Sequence, residues 1–200
     1  LFKIYGQNII FLYLYKCIYN LRGEIMEVLL EIKKAQNGDK QAFCRVIENV
    51  ERKLYIIARS RLTNTEDIKD AMQDAIMYAY INIKKLKEVE KFNAWIVKIL
   101  INSCNKIYNQ KKINIFSYSE FDENKFKYES DLIDLENNMN FFNIIDFLDV
   151  QEKTLITMYY LDEYTTKEIS EILDINESTL RSKLSSIRNK IKMHLGKENK

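Results

Sequence analysis

The chain has 200 residues, 31 basic and 29 acidic side chains, 46% apolar residues, four glycines and no proline. So little turn-forming material excludes hairpin-rich sandwiches and barrels, and the scattered Gly6, Gly23, Gly38 and Gly196 complete neither G-x-G-x-x-G nor G-x-x-x-x-G-K, which excludes nucleotide sites built on those loops. A single histidine, His194, and three distant cysteines, Cys17, Cys44 and Cys104, exclude a histidine-based relay, a disulfide framework and a zinc site; the expectation is an all-α, non-catalytic protein without cofactor, its thiols free and buried.

Residues 1–25 stand apart. The stretch Leu1 to Leu21 is apolar and tyrosine-rich, but Gln7, Asn8, Lys16 and Asn20 interrupt it. Its longest clean run, Ile9 to Tyr15, falls well short of the ~20 residues that span a bilayer, and no small-residue cleavage site follows it. Arg22-Gly23-Glu24 can be encoded as AGG-GGA-GAA, a purine-rich ribosome-binding sequence just ahead of Met26. Residues 1–25 are therefore expected to be a non-native upstream extension, with a membrane anchor as the rival. From Met26 onward basic and acidic residues balance.

Val28, Leu29, Ile32 and Ala35 recur at helical spacing until Asn37-Gly38-Asp39 supplies a C′ glycine and an N-cap aspartate. A second helix from about Lys40 carries Phe43, Val46, Ile47, Val50, Leu54, Ile57, Ala58 and Leu62 on its buried stripe. Thr63 and Glu66 read as a capping box opening a third helix through Ala71, Ala75, Ile76, Ala79 and Ile83. A fourth runs from about Lys91 to Tyr108, with Phe92 and Trp95 in the core, and these helices form a first bundle over residues 26–112. Residues 113–140 lose the periodicity; between Glu120 and Glu136 the net charge is −5, which reads as an acidic linker. Helical patterns return at Phe141 to Leu148, Val150 to Tyr160, Lys167 to Leu173 and Glu177 to His194, giving a second domain at 141–197.

Within that domain Thr165 and Glu168 form a capping pair, Asp174-Ile175-Asn176 makes a short turn, and Asn176 caps the last helix. This is helix-turn-helix spacing. Leu180, Leu184, Ile187 and Ile191 form the inner stripe of the last helix, while Ser178, Arg181, Ser182, Ser185 and Arg188 face outward with Lys183 at the flank. Short hydroxyls between long cations suit a helix in the major groove, where arginine reaches guanine edges, and a net charge of +4 from Asp174 to Lys200 attracts phosphate. The plain alternative is a solvated face of an ordinary helical hairpin.

The first bundle has two charged surfaces. Asp67, Asp70 and Asp74, with Gln73 beside them, share one face of the third helix; with nothing nearby to complete a catalytic or metal site, the face reads as solvated or as a protein-docking surface. Lys84 to Lys112 carries a net charge of +6, including Lys84, Lys85, Lys98, Lys106, Lys111 and Lys112, with asparagines and aromatics interleaved. Single-stranded nucleic acid needs that mixture of cations and base partners.

Ala35-x-x-Gly38-Asp39-x-x-Ala42-Phe43, Glu66-Asp67-x-x-Asp70-Ala71-x-Gln73-Asp74, Phe92-Asn93-Ala94-Trp95-Ile96 and Asn102 together resemble region 2 of bacterial RNA polymerase sigma factors. Glu168-Ile169-Ser170-Glu171-Ile172-Leu173, then Ser178-Thr179-Leu180-Arg181-Ser182-Lys183-Leu184 and Arg188, resemble region 4. Joined by a linker alone, the two are similar to the extracytoplasmic-function group, and the resemblance runs from about Val28 to Leu195. It implies a cytoplasmic initiation subunit whose partners are core RNA polymerase, through the β′ clamp and β subunits, promoter DNA and an anti-sigma factor. By position, Asp67, Asp70, Gln73 and Asp74 would dock on the clamp, and Asn93, Lys98, Asn102, Lys106, Lys111 and Lys112, in the strip that begins at Lys84 and Lys85, would hold the minus-ten strand. Thr166, Ser178, Thr179, Arg181, Ser182, Lys183, Ser185 and Arg188 would bind the minus-thirty-five element. The linker resembles the segment threaded through the RNA channel. Asn93, Asp149, Glu163 and Ser186 depart from the family pattern, which usually has a cation, proline, glycine and arginine there. The rivals are a stand-alone helix-turn-helix regulator and, third, a membrane-tethered interaction protein.

Overall fold

The computed structural model describes residues 25–115 and 140–198, with side chains up to 111 and from 140 to 196. The residues described are α-helical or 3-10 helical apart from short turns. In chain order they are α1 (25–36), α2 (Lys40–Arg59), α3 (Thr65–Asn82), two 3-10 turns (Ile83–Lys85 and Val89–Lys91), α4 (Phe92–Ile115), α5 (140–144), α6 (Val150–Tyr160), α7 (Thr166–Leu173) and α8 (Glu177–Glu198). Most of the segment read as an acidic linker, and all of the upstream extension but Ile25, lie outside the described residues. Among those residues no helix is long and apolar enough to cross a membrane.

The chain divides into two compact units, one with the residues up to Asn49 and Asn82–Phe92, the other with Val50–Ile81 and Asn93 onward. In the first, Gly38 takes φ +100, the left-handed conformation that ends α1 without a Cβ penalty, and Asp39 Oδ1 accepts the Ala42 N–H at 3.0 Å to start α2. Ile32, Ala42, Phe43 and Val46 are buried with Ile83, Val89 and Phe92. The Gln36 amide donates to the Ile83 and Leu86 carbonyls at 3.0 and 2.7 Å, tying α1 to the irregular 3-10 link.

In the second unit, Val50, Leu54, Ile57 and Ala58 continue the buried stripe of α2 as its spacing predicts, while Leu62, expected on the same helix, is buried just beyond its end at Arg59. α3 starts one residue later than a Thr63 cap would place it. Thr63 is exposed, and Asn64 Oδ1 accepts the Glu66 and Asp67 N–H groups at 2.8 and 3.3 Å. Two serviceable capping residues stood side by side in sequence, and geometry chose the second. Ala71, Ala75 and Ala79 are fully buried, a stripe without bulk beyond Cβ that permits close approach by neighbouring helices. α4 runs on past Tyr108 to Ile115, since the Asn-Gln-Lys-Lys continuation contains no breaker and good helix formers.

α5 covers 140–144 rather than the longer stretch to Leu148; the chain turns there, burying Ile145 and Leu148, so that Asp149 can cap α6 by accepting the Glu152 N–H. The aspartate found where the family pattern has proline is thus a working N-cap. α6, α7 and α8 pack on one another around Leu155, Ile156, Met158, Ile169, Ile172, Leu180, Leu184 and Ile187. α7 opens with the full Thr165/Glu168 capping box and closes at Asp174, at φ 54; Asn176 accepts the Ser178 N–H at 2.9 Å to open α8. Ile191 is only half-buried, where the inner stripe runs out toward the helix end.

Candidate nucleic-acid interface

α8 carries the sequence-predicted reading residues where the periodicity puts them. Ser178, Thr179, Arg181, Ser182, Lys183, Ser185 and Arg188 are all exposed, opposite the buried Leu180, Leu184 and Ile187. Three of the polar groups are tethered locally: Ser178 Oγ donates to Asn176, Ser182 Oγ to the Ser178 carbonyl, and Arg188 Nε to the Leu184 carbonyl. Thr166, at the start of α7, is half-buried and donates its hydroxyl to Glu177 at 2.7 Å. Arg181 donates to the same carboxylate at 2.7 Å. That hydrogen bond, then the one from Thr166, holds the Glu177 carboxyl below its ordinary range, and the pairing raises the Arg181 guanidinium further.

On α3, Asp70, Gln73 and Asp74 are exposed and Asp67 is half-buried. The same face continues past Asp74 with Met77, Tyr78 and Ile81, all more than half exposed. Periodicity had drawn attention to the carboxylates alone. Exposed apolar side chains thus extend the acidic row on the same face.

Lys98, Asn102 and Lys106 recur every fourth residue on α4 and are exposed together on one face. Asn93 and Lys111 are exposed but fall out of that register, and the side chain of Lys112 lies outside the described residues. Lys84 and Lys85 are exposed on the first 3-10 turn, in the other unit, with Lys85 donating to Asn82. Trp95 is half-buried rather than a core residue: it occupies the margin between the buried Phe92/Ile96 row and the exposed face, whereas Phe92 is buried as expected.

The two charged surfaces, read separately from the sequence, are neighbours. Lys111 pairs with Asp67 at 2.7 Å and Lys106 approaches Asp74 to 3.7 Å, which sets α3 and α4 antiparallel, side by side. Lys98 pairs with Asp174, the left-handed residue ending α7, at 2.9 Å.

Buried and half-buried polar residues of the same unit were not found by sequence reasoning. Arg61, just past α2 and half-buried, donates to Thr154 on α6 at 2.9 Å and to Asn105 on α4 at 2.5 Å; desolvation lowers its affinity for the proton. Asp162, before α7, is buried, with neither carboxylate oxygen hydrogen-bonded among the described residues; desolvation pushes its pKa up to about 7 against the opposing pull of Lys53 and Arg52. The residue after it, Glu163, holds φ 55 at the position where the family pattern has glycine. Of the two thiols described, Cys104 is buried, which raises it to about 11, but Cys44 is exposed, against the expectation of burial: it lies off the inner stripe of α2. His194 on α8 stacks on Phe147, in the turn that follows α5, ring centroids 4.0 Å apart.

Comparison with known proteins bears on both halves. A family model described as Sigma-70 region 2 matches residues 46–112, and one described as Sigma-70, region 4 matches residues 140–191. The chain is similar to the ECF RNA polymerase sigma factor SigW of Bacillus subtilis, 26% identical over 184 residues, covering 85% of this chain and 98% of that protein. It is also similar to the ECF RNA polymerase sigma-E factor of Escherichia coli K12, 22% identical over 172 residues, covering 80% and 90%. Among solved structures its fold is similar to CnrH in complex with the cytosolic domain of CnrY, with a TM-score of 0.64 at 16% identity, covering 85% and 97%. The sigma factor RpoE in complex with the anti-sigma factor NepR from Bartonella quintana gives 0.64 at 19% identity, covering 77% and 96%.

Proposed function

The chain belongs to the extracytoplasmic-function group of the sigma-70 family, and for it we propose a division of labour among the surfaces described above. It is an RNA polymerase sigma factor, a non-enzymatic subunit that directs transcription initiation. Region 2, residues 26–112, takes core polymerase on α3 and the minus-ten strand on α4. Asp67, Asp70, Gln73 and Asp74 contact the β′ clamp, and the row Met77, Tyr78 and Ile81 extends that footprint with apolar area. Lys98, Asn102 and Lys106 supply the in-register face for the melted strand, with Asn93, Lys84, Lys85, Lys111 and Lys112 as further contacts. Region 4, residues 141–197, lays α8 in the major groove of the minus-thirty-five element and meets the β subunit. The acidic segment 113–140 threads the RNA channel, and the protein works in the cytoplasm under an anti-sigma factor.

The observation that carries this reading is the face of α3, where exposed carboxylates run into exposed apolar side chains while α8 presents a separate cationic face. A regulator acting on duplex DNA alone needs the second surface and has no use for the first. Run-off transcription with purified core polymerase and a library of genomic promoter fragments tests it: discrete, protein-dependent transcripts are expected. Operator binding that persists without polymerase, together with no binding to core, would replace the assignment with the stand-alone regulator.

A further inference from the structure

Glu177 opens α8 between two donors from different helices. Its Oε1 accepts from Thr166 Oγ1 at 2.7 Å, and from Arg181 Nη2 at 2.7 Å and Nε at 3.3 Å. The carboxylate therefore ties the first residue of α7 to an arginine one turn into α8. Arg181 itself stays 69% exposed at the side chain, against 38% for Glu177, so the pair is anchored at its carboxylate end and open at its guanidinium end.

The edge of the guanidinium that is engaged decides what the rest can do. With Nε and one side of Nη2 turned to Glu177, the hydrogens left are those of Nη1 and the outer one of Nη2, at the tip of the side chain. Two parallel donors at the tip match guanine O6 and N7. A free arginine on the same helix would be drawn to phosphate, whose attraction is strong and independent of sequence. Glu177 opposes that drift in a second way. The first turn of a helix, with its unpaired N–H groups and positive dipole end, is an attractive seat for phosphate, and a carboxylate there repels it.

We propose that Glu177 is a positioning residue for promoter reading, holding Arg181 end-on toward a guanine in the major groove and keeping it off the phosphates. This rests on the reading of α8 as the minus-thirty-five helix. Its signature is a loss of discrimination without a loss of general affinity, which a merely structural role would not produce. Holoenzyme assembled with the wild-type chain, E177Q, E177A, R181A and E177A/R181A would be given a promoter library randomised over the upstream element. Run-off transcripts would be sequenced, and binding to a promoterless duplex measured in parallel. R181A is expected to erase the preference for one G·C pair. E177A should lower the preference at that same pair by about fivefold or more, with E177Q in the same direction, while binding to the promoterless duplex holds or rises. The double variant should match R181A. If E177A and E177Q keep the preference that R181A erases, or if the two effects simply multiply, the positioning role falls and the reading of α8 stands. If R181A itself leaves every base preference intact, the role of Arg181 in reading falls and the proposal with it.

Discussion

The α3–α4 surface and the helix-turn-helix place charge in opposite ways. On α3 and α4, carboxylates and lysines from distant parts of the chain pair across helices, Asp67 with Lys111 and Asp74 with Lys106, and three of the four side chains remain more than half exposed. In the helix-turn-helix most partners are near neighbours: Asp149 caps α6, Thr165 and Glu168 close a capping box, Asn176 caps α8 and Glu177 takes Arg181 one turn on, while Lys190 with Glu152 and Lys98 with Asp174 join distant segments. Asp162 is an exception of another kind, buried with neither carboxylate oxygen hydrogen-bonded among the described residues. A partner-binding surface built from cross-helix pairs can exchange them for a partner's charges, whereas one built on local caps is fixed before any partner arrives.

The largest effect should come from reversing the exchangeable surface. Asp70→Lys with Asp74→Lys reverses the charge of the face proposed to dock core polymerase, and like-charge contact there would cost several kcal/mol. Binding to core polymerase, followed by fluorescence anisotropy, should weaken roughly a hundredfold or more while the melting temperature barely moves. A comparable loss of folded protein would show that these carboxylates are structural instead.

Asp162→Asn probes the exception. Its folded pKa, about 7, stands above the ordinary carboxylate value of 3.8, so the folded state holds the proton more tightly than the unfolded chain does. Stability linked to that proton is complete below about pH 4 and is lost as pH rises through 7. The asparagine variant should therefore gain on the wild type with rising pH, by about 1–3 kcal/mol at pH 8 in denaturant titrations. A difference that does not change with pH would mean Lys53 and Arg52 already compensate the charge.

Glu163→Gly should stabilise by up to about 1 kcal/mol, because a side chain at φ 55 carries the left-handed penalty that glycine escapes. Smallest of all, a double-mutant cycle on Asp74 and Lys106 should give a coupling below about 0.5 kcal/mol, given an exposed pair at 3.7 Å. The same cycle on Glu177 and Arg181, measured in thermal melts, should give more, since their geometry is held by two hydrogen bonds. Equal values would erase the distinction between the two regions.

Much of this was legible in the residues because it is local. The buried stripes of α2 and α8 follow helical spacing, and Asp39, Thr165 and Asn176 cap the helices their positions announce, since a cap acts over three residues and a stripe over one turn. The order of regions 2 and 4 could be read in the same way, from motifs contained within single helices. Tertiary structure decided everything that joins distant segments: that Asp67 and Asp74 face Lys111 and Lys106, that Arg61 bridges Asn105 and Thr154, and that Asp162 is shut away from water. It also decided which of Thr63 and Asn64 caps α3, and that Met77, Tyr78 and Ile81 stay in solvent beside the acidic row. An apolar residue on a helix carries no mark of whether another helix covers it; that depends on where the neighbours lie, and spacing within one helix does not contain it.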